Sequence, residues 1–176
     1  MFTTKEQIIE LLTELGARLD ALDLEAELYI VGGAAMLLGY DRSAVTRDID
    51  ALIISTGAIE EIATQMADER RDLPPDWLNS NVTPLLPRLA DSGSWELFSV
   101  PGMSVQVASA EHLLAMKVRA GRGLRDLQDV GVLTQILGYV AVQQVWDICD
   151  HVWGENMVRD EVRDSVREYL NSRGLS

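Results

Sequence analysis

The spacing of apolar positions divides the chain into alternating helical and extended stretches. Ile8, Leu12, Leu15, Leu19 and Leu22 recur at helical intervals, and Thr3 and Thr4 with Glu6 and Gln7 form a capping-box arrangement ahead of them. The spacing predicts an amphipathic helix over about 4–22. Glu27 to Val31 reads as a short buried strand running into Gly32-Gly33, a tight turn, with a two-turn helix from Ala34 to Tyr40. Asp41-Arg42-Ser43 is a polar link, and Asp48 to Ile54 is a second strand, buried and central by its run Leu52-Ile53-Ile54. Ile59, Ile62, Ala63 and Met66 then mark a helix from Thr56 to about Arg71. Pro74, Pro75, Pro84 and Pro87 make the next stretch mostly loop, with one helical turn around Trp77, a packing anchor. Trp95–Val100 and Met103–Ala108 are two strands joined at Pro101-Gly102.

Beyond residue 110 the pattern is helical throughout. Ser109 caps a helix to about Ala120, which Gly121 and Gly123 end; three more follow over about 125–137, 140–153 and 157–171. Val158, Val162, Val166, Tyr169 and Leu170 share one face of the last, opposite a solvated charged face. Strands first and helices afterwards predict an α/β (α+β) core over 1–110, a mixed sheet flanked by helices, with a helical part over 111–176 packed on it.

Composition narrows the function classes. A formal charge of −13 over 176 residues repels phosphate backbones and argues against a general nucleic-acid coat protein. No segment reaches the ~20 apolar residues of a bilayer span, and the first residues hold no basic leader or apolar signal core. With Cys149 alone, no intrachain disulfide forms, so a reducing cytoplasm is the expected location, with no membrane contact. Basic residues are uneven: Lys117, Arg119, Arg122 and Arg125 cluster, and the only other lysine is Lys5.

Three places carry candidate chemistry. Asp48 and Asp50 alternate along a strand and so share a face, while Ile49 and Ala51 point into the core. Magnesium takes one or two protein carboxylates plus phosphate and water, so an Asp-x-Asp facing a glycine turn suggests a metal beside a phosphate cradle. Lys117, one turn from Leu113 and Leu114, either lays its stem along apolar surface or places a point charge on a triphosphate. Asp126 and Asp129 sit on a mostly apolar helix and need partners, for which Lys117, Arg122 and Arg125 are at hand. His112, His151 and Cys149 have no ligand or nucleophile spacing and read as structural.

Gly32-Gly33 followed by Thr46-Arg47-Asp48-Ile49-Asp50 resembles the nucleotidyltransferase fold of DNA polymerase β-like enzymes. Val105 through Lys117, then Arg125-Asp126 and Asp129, is similar to the narrower AbiEii-type nucleotidyltransferases of toxin–antitoxin systems and related uncharacterised bacterial proteins, as is Leu73-Pro-Pro-Asp-Trp-Leu-Asn. The resemblance covers about 25–135. It implies magnesium- or manganese-dependent transfer of a nucleoside monophosphate from an NTP to an acceptor hydroxyl on RNA, such as tRNA, or on protein. Asp48 and Asp50 would hold the metal, Gly32, Gly33 and Arg47 would approach the nucleotide, Lys117 would neutralise phosphate, and Asp129 would hold Lys117 or assist the acceptor. An antitoxin protein and a homo-oligomer are further implied partners. Polymerase-like members carry a third carboxylate on a later strand, where this chain has Gln106, with Glu96 a candidate substitute. The alternative is a catalytically inactive module of the same fold that binds nucleotide or a partner protein.

Overall fold

The computed structural model describes residues 1–40, 45–55 and 59–176; the link Asp41-Arg42-Ser43 and the helix start at Thr56 lie outside the described residues. The chain divides into two units, one of Met1–Leu85 with Ser94–Ala108, the other of Leu86–Gly93 with Ser109–Ser176.

Unit 1 opens with α1 (Lys5–Asp20). Thr4 Oγ1 accepts from the Gln7 amide at 3.4 Å and Gln7 Oε1 accepts from the Thr4 amide at 3.2 Å, closing the capping box. Ile8, Leu12, Leu15 and Leu19 are buried; Leu22 lies past the helix end and is exposed. β1 (Ala26–Ile30), α2 (Gly32–Gly39), β2 (Ile49–Ser55), α3 (Ile59–Asp68), β3 (Leu78–Asn79), β4 (Trp95–Val100) and β5 (Met103–Val107) complete the unit.

The sheet is mixed, in the order β3-β2-β1-β5-β4, and is flanked by helices. β1 runs antiparallel to β2 and parallel to β5; β2 is parallel to β3, and β4 antiparallel to β5. Leu28, Ile30, Ile49, Ala51, Val105 and Val107 are buried and share one face, as alternation and register require. α1 packs on that side: a Cβ on its Gly16 would come within 2.8 Å of Val100 Cγ2 and 3.4 Å of Met103 Cβ.

Three local expectations change. α2 begins at Gly32, not Ala34, with extended Val31 as its N-cap residue, so the glycine pair forms the first helical turn. At Trp77 the chain makes a single turn, its amide donating to the Pro74 carbonyl at 3.1 Å, but Leu78 and Asn79 are extended and pair with Ile49 and Asp50, and the helical turn, a 3-10 one, comes at Thr83–Leu85. Trp77 is the anchor expected, fully buried, with Nε1 donating to the Ala63 carbonyl at 2.8 Å. β2 is buried only in its first half. Among the described residues β3 pairs with Ile49 and Asp50 alone, and Ile54, on the same face as Asp50, is 59% exposed.

Unit 2 contains α4 (Ala110–Ala120), α5 (Leu124–Ile136), α6 (Val142–Trp153) and α7 (Asp160–Asn171). Ser109 caps α4, its Oγ accepting from the His112 amide at 3.1 Å. α5 is buried along one side, through Val130 and Leu133, while Leu124 and Ile136 are exposed at its ends. α6 and α7 turn Val145, Cys149, Val166 and Leu170 inward, and Trp153 Nε1 donates to the Ala115 carbonyl at 3.0 Å. Among the described residues no helix is long and apolar enough to cross a membrane.

Candidate functional site

In unit 1, the entry to β2 is held from several sides. Thr46 and Phe2 exchange backbone hydrogen bonds of 2.7 and 3.0 Å, and Thr46 Oγ1 donates to the Asp48 carbonyl at 3.0 Å. The Ile49 amide donates to the Trp77 carbonyl at 2.6 Å, and the Val31 amide to the Asp50 carbonyl at 3.0 Å. The backbone at Asp48 and Asp50 is thereby held, both residues half-buried, with Asp50 beside the start of α2. Gly32 stands against Asp50: a Cβ there would lie 3.2 Å from Asp50 Oδ2, and its φ of +68° is one that L side chains rarely adopt. Two constraints thus select glycine at one position. Gly33 follows, half-buried, in the same first turn. Arg47 is largely exposed, with Nη2 4.0 Å from Asp76 Oδ1, a separation that leaves it available to other anions.

The donor set here is two hard carboxylate oxygens at the rim of a sheet. That suits magnesium or manganese completing its shell with phosphate and water, not a closed protein cage. Among the described residues no three His, Cys, Asp or Glu side chains gather in a metal-holding group. Register rules out Glu96 as the substitute third carboxylate. Glu96 pairs with Gln106, on the same face as Asp50, but β4 lies three strands from β2, roughly 14 Å at the usual spacing. Gln106 Oε1 instead accepts from Ser94 Oγ at 3.1 Å.

Unit 2 holds the other sequence-picked pair. Lys117 is only 5% exposed, and its Nζ lies 2.8 Å from Asp129 Oδ2 and 3.3 Å from Asp126 Oδ1. Burial pushes the ammonium below the usual lysine range; Asp126 pulls it back, while Arg122 and Arg125 act with burial. Asp126 also accepts from the Arg122 amide at 2.8 Å and faces Arg122 Nε at 3.4 Å. It therefore ties the start of α5 to the turn after α4, where Gly121 takes the left-handed conformation. A cavity of about 90 Å³ opens here, with Lys117 and Asp126 at its polar end and Leu127, Val130, Val162 and Val166 along its sides.

A second buried polar group was not singled out from sequence. Asp91 accepts from the Ser109 amide at 2.8 Å and the Gly93 amide at 3.1 Å, and its Oδ1 lies 3.3 Å from His112 Nδ1. His112 Nε2 is 3.2 Å from the Leu89 carbonyl. Together they fasten the 86–93 segment to the head of α4. His112 is structural, as its isolation in sequence suggests; Asp91, in an Asp-Ser-Gly-Ser run, looks like any loop carboxylate until its partners are known. The structure thus brings Asp50 to Gly32 in unit 1 and Lys117 to Asp126 and Asp129 in unit 2.

A family model described as nucleotidyltransferase of unknown function (DUF6036) matches residues 6–168. Among solved structures, the chain is similar to an antigenic nucleotidyltransferase-like protein from Paracoccidioides brasiliensis. That match has 17% identity and a TM-score of 0.41, and covers 90% of this chain and 84% of that one. No curated protein matches the chain.

Proposed function

Because the chain belongs to the DUF6036 family of nucleotidyltransferases, we propose that unit 1 transfers a nucleoside monophosphate from an NTP to an acceptor hydroxyl. A general nucleotidyltransferase role comes with the family; the metal, the donor and the residue roles are our addition. The observation that supports them is Asp50 at the entry of β2 against the glycine that opens α2, with Asp48 two residues earlier in the bend that leads into the strand. Asp48 and Asp50 would hold magnesium or manganese, which when bound supplies positive charge to the triphosphate and lowers the pKa of a coordinated hydroxyl. The backbone at Gly32 and Gly33, free of side chains, lets phosphate oxygens approach the first amides of α2. Arg47, exposed beside Asp48, adds a cation for the departing end of the nucleotide. In the step itself the acceptor oxygen bonds to the α-phosphorus, the bond to the β-bridging oxygen breaks, and pyrophosphate leaves. The hydroxyl proton passes to a carboxylate or to water.

Lys117, with Asp129 holding it, is proposed as a second nucleotide-handling group, supported by its place in the AbiEii-type motif. A narrower reading, a cytoplasmic toxin restrained by an antitoxin protein, rests on that motif as well. The alternative of an inactive nucleotide- or protein-binding module is favoured by one observation, Gln106 where a third carboxylate is expected.

Incubation with each α-labelled NTP, magnesium and a broad acceptor mixture tests the choice. Transfer that Asp48→Asn reduces on the order of a hundredfold, the scale for losing one group that offsets transition-state charge, supports the enzyme. NTP binding without any transfer, unchanged in Asp48→Asn, would favour the inactive module.

A further inference from the structure

The sheet of unit 1 has a second face whose chemistry follows from the register. Leu52, Tyr29, Gln106 and Glu96 lie side by side across β2, β1, β5 and β4. Alternation puts Asp50 and Glu27 on the same side, and Asp48 lies in the bend just before β2. α1 lies on the opposite side, against Met103. Glu27, Glu96 and Gln106 are exposed; Tyr29 and Leu52 are half-buried between them. Not one of the five strands contains a lysine or arginine.

That charge pattern discriminates between acceptors. RNA gains its affinity by neutralising phosphates with lysine and arginine, and a phosphodiester chain laid along this face would meet the exposed Glu27 and Glu96 and no lysine or arginine of the strands. A polypeptide carries no such repulsion, and one with basic residues around its hydroxyl side chain is complementary. Tyr29 and Leu52 give it an apolar centre between polar flanks, the usual anatomy of a docking surface.

We propose that the acceptor is a serine, threonine or tyrosine hydroxyl in a basic polypeptide segment lying along this face towards Asp48 and Asp50. The chemistry rests on the nucleotidyl-transfer reading above; the docking does not. The side-chain oxygen bonds to the α-phosphorus, pyrophosphate leaves with the β-bridging oxygen, the hydroxyl proton is released, and the product is a phosphodiester-linked NMP on protein.

Docking is measured first, without turnover, by fluorescence anisotropy of the full chain with three labelled probes: a Lys-Ser repeat peptide, a Glu-Ser repeat peptide and a single-stranded RNA oligonucleotide. The expected result is binding of the Lys-Ser peptide alone, weakened at least tenfold in Glu27→Lys/Glu96→Lys. A control, Glu161→Lys/Glu168→Lys, makes the same change in net charge on exposed positions of α7 and should stay within twofold. Equal weakening by both pairs, preference for RNA, or no peptide binding by a chain whose circular dichroism is native overturns the proposal. Label from α-labelled NTP is then followed into RNase-treated basic proteins and into protein-free RNA. Peptide docking without any label removes the transfer reading and leaves the docking standing; label in RNA alone overturns the acceptor assignment.

Discussion

Lys117 is a buried cation held by carboxylates in unit 2. Its ammonium is nearly out of water and touches two carboxylates that are themselves buried. Lys117→Met would remove the ammonium that Asp126 and Asp129 share, leaving Asp126 facing Arg122 Nε at 3.4 Å, and the expected cost is about 3–5 kcal/mol in urea unfolding. Adding Asp126→Asn and Asp129→Asn should recover part of that loss, because the buried charges that faced the ammonium go too. A gain of less than about 1 kcal/mol from the added pair would show that packing of the lysine stem, not charge, is what matters. Gly32 has the matching role in unit 1. Alanine there meets both an unfavourable φ and Asp50 Oδ2, so Gly32→Ala should lower stability by about 1–3 kcal/mol and displace Asp50. Calorimetry checks the first effect; a weakened response of the variant to magnesium in the transfer assay checks the second.

At the scale of elements, periodicity and caps made most of the fold legible. The capping box at Thr4, the serine cap at Ser109, the turn at Pro101-Gly102 and the inward faces of α3 and α7 are all local patterns, and all are present in the structure. Non-local pairing was not legible. Leu78-Asn79 is too short to show a strand period, and it becomes one only because the Ile49 amide meets the Trp77 carbonyl. Likewise Leu52-Ile53-Ile54 reads as buried by composition, but among the described residues pairing with β3 stops at Asp50 and Ile54 is exposed. The candidate site shows the same division. Asp48 and Asp50 were visible as an alternating pair, whereas the separation of Glu96 from them needed the strand order. Asp91 was invisible because its role depends on amides and a histidine ring up to 21 residues away in the chain. Its clasp gives an element-level test. Asp91→Asn keeps the shape but loses the charge facing His112, and hydrogen exchange should rise in 86–93 and the first turn of α4 while the sheet amides keep their protection.

For the molecule as a whole, Cys149 is a convenient reporter. Burial, helped by Asp150 and opposed by Arg163, pushes its thiol up to about 12. Since the folded value lies above the unfolded one, this group leaves stability untouched below about pH 9, where the thiol is protonated in both states. As pH rises from there towards 12 the unfolded chain ionises and the folded one does not, so stability falls, by up to ~4 kcal/mol at the upper end. Cys149→Ala should remove that slope, and Ellman's reagent at pH 8 should label native protein only at the rate of opening of unit 2. The path of the backbone bears on such experiments. The chain passes from unit 1 to unit 2 after Leu85, returns at Ser94 and leaves again after Ala108. No single cut therefore separates the two units. A fragment ending at Ala108 would keep residues 86–93 while discarding His112, so its Leu89 and Asp91 would lose the histidine they face. Nor does the helical part have the boundaries of an appended cassette. In biosynthesis, β1 waits 77 residues for its parallel partner, so the ribosome must release the 86–93 segment before the sheet can close.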